Sequence, residues 1–141
     1  MADEPYLAKF DASLILAGKL ADRGDCADAI TVMVPWADVE LTPFHRSVLA
    51  YNLAHMFRTM GQVEEALAWF DWGIEHERGI RRTFVAAHKA AYLYELGRRD
   101  DAVRLWRELR DSGWLQDKER DSVEANLRVA GDGVPPGPRS L

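Results

Sequence analysis

The side chains able to do chemistry are few and dispersed. The 141-residue chain holds four histidines, His45, His55, His76 and His88, and no two stand three or four residues apart. No single helix therefore presents a paired-imidazole metal site. Cys26 is the lone cysteine, which forbids an intramolecular disulfide and any cysteine cluster. It follows Asp25, whose carboxylate opposes a thiolate, and no histidine is close in sequence to activate it. It reads as a small inert residue. Glu64-Glu65 and Asp100-Asp101 have the look of acid–base pairs, but each opens a predicted helix, where the positive end of the dipole stabilises acids. They read as charge complements to helix ends. Gly-x-Ser-x-Gly, P-loop and dinucleotide-binding patterns are absent. The expectation is a protein that is not an enzyme and takes no metal or cofactor.

Charge and aromatic placement narrow the partners. Arg78, Arg81 and Arg82 form one basic cluster and Arg98-Arg99 another, but Glu75, Glu77, Asp100 and Asp101 intersperse them. Such mixing describes a solvated surface, and a net charge of −5 supplies no general attraction for nucleic acid. No apolar run approaches the ~18 residues of a membrane span. No basic segment followed by an apolar one opens the chain, which reads as no secretory signal and a cytoplasmic location. Arginine outnumbers lysine 14 to 4, a bias expected of a GC-rich bacterial genome. Of the tryptophans, Trp36, Trp69, Trp72, Trp106 and Trp114, most fall on second helices of the pattern described next. Trp106 takes a core position in that pattern. Trp69 and Trp72 flank Phe70 and cannot all face one way, so at least one is partly exposed or packed between units.

The elements that must carry these residues repeat. Leu16-Ala17, Leu20, Gly24, Ala29 and Met33 align without gaps on Leu53-Ala54, Phe57, Gly61, Ala66 and Phe70, and again on Lys89-Ala90, Leu93, Gly97, Ala102 and Trp106. Gly24 and Gly61 are 37 residues apart, Gly61 and Gly97 are 36. Each unit is an apolar stretch of helical period, a glycine, then a second such stretch. Glycine stops the first helix because it alone enters the left-handed C′ conformation cheaply. The alanines mark where two antiparallel helices approach closely, so each unit is an αα-hairpin. Glu4-Pro5 and Thr42-Pro43 read as a capping residue before a proline at the first helical position. Asp25 with Asp28 reads as a capping pair. The spacing predicts helices at about 5–23, 25–35, 43–60, 63–78, 82–96, 100–112 and 117–130, with Pro35 shortening the second. Nothing alternates with period two for long enough to form a strand.

These columns resemble the tetratricopeptide repeat, whose pattern runs Trp, then Leu-Gly, then Tyr, then Ala with three residues between it and Phe, then Pro. The second unit matches best, with Leu53-Ala54-x-x-Phe57 and Ala66-x-x-x-Phe70. The early tryptophan position holds Ser13, Ala50 and Ala86, the closing proline position holds Leu41, Arg78 and Trp114, and the period exceeds the usual 34. The resemblance covers residues 10–114. It implies an all-α fold, an α-solenoid of three antiparallel hairpins in a right-handed superhelix. The units span about 5–36, 43–78 and 82–113, a seventh helix at 117–130 caps the single domain of residues 1–130, and 131–141 is expected as a disordered tail. The cap fits the need to cover the last apolar face of a repeat array, with Val123, Leu127 and Ala130 on one stripe.

The resemblance also implies a function. Family members bind a peptide or a partner helix in a concave groove lined by first helices. Carried over, the groove takes Asp11, Leu14, Ile15 and Gly18 from the first unit, Val48, Tyr51, Asn52, His55 and Arg58 from the second, and Phe84, Ala87, His88, Ala91 and Tyr94 from the third. The lining mixes aliphatic and aromatic surface with a few polar groups, as an amphipathic helix or an anchored peptide requires. The relatives that clamp a terminal carboxylate use lysine, asparagine and arginine. Only Asn52 matches; Leu14, Gly18, Phe84 and His88 supply no fixed positive charge. The expectation is thus a protein-binding adaptor or scaffold that is no chaperone-tail clamp. A homodimerising scaffold and a specialised chaperone for a secreted or assembling subunit are the alternatives, and an enzyme or metal-binding protein is the minor one.

Overall fold

The computed structural model describes residues 4–131, with side chains from Tyr6 onward. Among the described residues it is all-helical: α1 (Glu4–Asp22), α2 (Cys26–Met33), α3 (Pro43–Thr59), α4 (Val63–Arg78), α5 (Phe84–Glu95), α6 (Arg99–Ser112) and α7 (Asp117–Val129), with a 3₁₀ segment, Val34–Asp38, after α2. These bounds lie within two residues of the predicted ones. The chain divides between Ile80 and Arg81 into two compact units.

One turn is built three times. At Gly61 the backbone enters the left-handed region, φ +74°. The Gly61 amide donates to the Arg58 carbonyl at 2.9 Å, and the Gln62 amide reaches back to the Phe57 carbonyl at 2.9 Å. This pair of bonds closes the end of α3 and satisfies carbonyls that would otherwise face the solvent unpaired. The same two bonds recur from Gly24 and Asp25 to Ala21 and Leu20, and from Gly97 and Arg98 to Tyr94 and Leu93. The residue after each glycine then accepts the first bond of the next helix from an alanine amide: Ala29 to Asp25, Ala66 to Gln62, Ala102 to Arg98, at 3.0 to 3.1 Å. The repeated Gly and Ala columns are thus two parts of one hydrogen-bonded turn. All six column alanines, Ala17, Ala29, Ala54, Ala66, Ala90 and Ala102, are fully buried, because a larger side chain would hold the paired helices apart.

In the first unit α1 packs on α2, α2 on α3 and α3 on α4. Phe10, Met33, Leu41, Leu49, Leu53 and Met56 form the core with Ala17 and Ala29, and Trp36, Trp69 and Trp72 lie partly buried against it. Trp36 meets Phe10 edge-on at 5.4 Å, and Trp69 meets Trp72 edge-on at the same distance, a favoured aromatic arrangement. Pro35 does stop α2: the chain leaves the α-helix at Met33 and continues as the 3₁₀ segment. Thr42 caps α3 as expected, its hydroxyl accepting from the His45 amide at 3.2 Å with Pro43 in the first turn. Asp25 does not cap α2 with its side chain. Its carboxylate lies 3.9 Å from the Arg23 guanidinium, and the glycine turn sets the start of α2 instead. The side chain of Glu4, expected to cap α1, and the tail from 132 onward fall outside what the structure describes.

In the second unit α5 packs on α6 and α6 on α7. Trp106 is buried, as its repeat position requires, with Val85, Leu93, Val103, Leu109, Leu115, Val123 and Leu127. Glu119 ties this unit together. Its carboxylate accepts from the Gln116 amide at 3.1 Å, capping α7, and from the Thr83 hydroxyl at 3.5 Å, just before α5. At the other end of α7, the Arg99 Nε donates to the Ala130 carbonyl at 2.6 Å.

Candidate functional site

The expected contact residues divide between the two units. On α1, Leu14 is half-buried against the core and Gly18 is exposed, with no atom within 4 Å of where a Cβ would stand. On α3, Tyr51 and His55 stand one turn apart with their rings near parallel, 15° between planes and 6.1 Å between centroids. Asn52 lies between them in sequence, half-buried. Its amide nitrogen donates to the Val48 carbonyl one turn earlier at 2.8 Å. That bond uses one of the side chain's two N–H donors and leaves its oxygen as an acceptor. Arg58 is half-buried at the end of the same helix.

In the second unit the guanidinium of Arg82 lies over the Phe84 ring at 4.7 Å, and Phe84 meets His88 edge-on at 4.6 Å. A cation over an aromatic face is attracted by the ring quadrupole, so Arg82, Phe84 and His88 form a column at the start of α5. Farther along, Ala91 and Tyr94 line an open cleft of about 190 Å³ with Glu95, Trp106, Asn126 and Val129. Tyr94 and Trp106 set its aromatic wall, centroids 5.8 Å apart. Asn126 and Val129 were missed by the sequence reading, which treated α7 as a cap alone. The signal was Val129, an apolar residue off the capping stripe and 75 % exposed.

The residues considered for catalysis lie apart. Cys26 is buried in the first turn of α2. Glu64 and Glu65 stand exposed in the first turn of α4, Asp100 and Asp101 in that of α6. Asp101 pairs with Arg104 and Asp100 with Arg99, each at 3.2 Å. Among the described residues no three His, Cys, Asp or Glu side chains are placed to hold a metal ion together, and no helix is long and apolar enough to cross a membrane.

His76 carries a perturbed imidazole. It is half-buried on α4 with the Trp72 ring 4.6 Å away. Burial holds its pKa below the ordinary value, the positive charge of Arg46 pushes the same way, and Glu75 opposes them. Next to it, Glu77 is fully buried and engaged by neighbouring groups, as a carboxylate removed from water must be. Both belong to the packing of α4. The chain has no significant match among models of protein families, curated proteins or solved structures.

Proposed function

We propose that this chain is a non-enzymatic protein-interaction module of the tetratricopeptide-repeat kind, which takes a peptide or partner helix on its first helices. The observation that carries the reading is the threefold recurrence of one glycine turn with a buried alanine after it, the local geometry that a stacked-hairpin scaffold needs. Supporting it, α3 offers Tyr51, His55 and the free oxygen of Asn52, and α5 offers Phe84, His88 and the Tyr94 cleft. Flat aromatic surface beside a few hydrogen-bonding groups is what anchors a peptide at low entropic cost.

The test is selection from a displayed library of random peptides, with binders measured by fluorescence polarisation. Selected peptides should lose about tenfold or more in affinity against Tyr51→Ala or Phe84→Ala, the usual cost of removing an aromatic anchor, while circular dichroism stays unchanged. Failure to select any binder, or selected binders indifferent to both substitutions, overturns the reading.

A further inference from the structure

Helix α1 turns one stripe inward and another outward. Phe10, Leu14, Ala17 and Ala21 recur at helical spacing and pack into the core of the first unit. Ala8, Ala12, Ile15 and Lys19 recur at the same spacing on the opposite side, and all four are exposed. Ile15 keeps 61 % of its surface and its neighbour Leu16 keeps 49 %. Side chains of this kind gain by leaving water, and the fold does not cover them. Exposed Asp11 adjoins the stripe toward one end, and Lys19 closes it at the other. Eight residues along one helix separate them by about 12 Å, too far to pair with each other.

We infer that this stripe is the contact between two copies of the chain, with their α1 helices antiparallel about a two-fold axis passing between Ala12 and Ile15. In that register Ile15 of each copy fills the space left over Ala12 of the other, a large residue against a small one. Lys19 of each copy then faces Ala8 of the other, one turn from its Asp11 and within reach of a lysine stem. The charges that cannot meet within one helix meet twice across the axis. A parallel pairing would instead set Lys19 against Lys19 and Asp11 against Asp11. The complement of the stripe is therefore the same stripe reversed, which favours a second copy over an unrelated helix. The 19-residue helix is about 28 Å long. One such face covers less than the ~800 Å² per partner of a standard interface, so the dimer is weak and exchanges rapidly. Asp11 and Ile15 also belong to the expected groove, so on α1 the dimer and a bound peptide would compete, and sedimentation of the chain without peptide reads the dimer alone.

Sedimentation velocity between about 5 and 500 µM tests it, with circular dichroism to confirm that each variant folds. The wild type should pass from monomer to dimer across that range, and Ile15→Glu should stay monomeric throughout. Asp11→Lys and Lys19→Asp should each weaken association by about tenfold, and the two together should return it to within about threefold of wild type. A wild type that is monomeric at every concentration overturns the inference. So does a dimer that survives Ile15→Glu, or a double variant no better than its parents.

Discussion

The guanidinium of Arg99, the first residue of α6, donates through Nε to the carbonyl of Ala130, the residue that ends α7, at 2.6 Å. These residues are 31 apart in sequence, and the bond fastens the last helix by its far end. Arg99→Ala should cost about 1–2 kcal/mol in chemical denaturation and raise hydrogen exchange in the last turn of α7 more than elsewhere. Arg99→Lys should recover little of this, because an ammonium does not reproduce the planar donor geometry of the guanidinium.

The same substitution should act with opposite signs at two glycines. Gly18 lies inside α1 with open space around its missing Cβ, so Gly18→Ala should stabilise the protein by about 0.5–1 kcal/mol through helix propensity. Gly61 also has open space but adopts φ +74°. Gly61→Ala should destabilise it by about 1–2 kcal/mol, from backbone strain alone. Urea midpoints for the pair measure both.

Ala66 is fully buried where α4 meets α3. Ala66→Leu should cost about 2–3 kcal/mol, since three added carbons must displace a close-packed neighbour. Ala68→Leu, on the exposed side of α4, should change the thermal midpoint little. Calorimetry of the two variants separates helix–helix distance from helix propensity.

His76 makes stability depend on pH. Its folded pKa lies below the ordinary imidazole value of 6.5, chiefly through burial, so the unfolded chain takes up its proton first as pH falls. The contribution is complete above 6.5 and is lost as pH falls through the lower folded value. His76→Gln should therefore gain stability relative to wild type as pH drops from 7.5 toward 5. Urea denaturation at successive pH values checks the slope, and a constant difference between the two proteins would remove His76 as its source.

Much of the fold was legible because it rests on residues with narrow physical roles. A left-handed turn needs glycine, a close helix crossing needs alanine, and proline cannot continue an α-helix, so Gly61, Ala66 and Pro35 announced their places. Asp25 misled because an acid before a helix is a common cap, yet here the turn from Gly24 already settles the backbone and the carboxylate turns to Arg23. The Glu119 cap was present in the spacing of Gln116 and Glu119, but its second bond, from Thr83, joins residues 36 apart and leaves no local trace. The candidate site divided in the same way. Periodicity located Tyr51 and Phe84 on first helices, but did not disclose that Tyr51 lies parallel to His55 or that Asn52 spends a donor on its own helix. The Tyr94 cleft needed α7 brought against it, which no periodicity within one segment encodes.

The threefold turn also bears on how the chain reaches this state. Each glycine joins helices whose packed residues lie within one hairpin of each other, so the entropy of closing each contact is small and no distant strand must be found first. Chains dominated by such local closures fold in microseconds to milliseconds. The turn at Gly61 closes the α3–α4 hairpin, and slowing its closure should slow refolding as a whole, so Gly61→Ala would be felt in the refolding arm of a chevron plot as well as in the equilibrium midpoint.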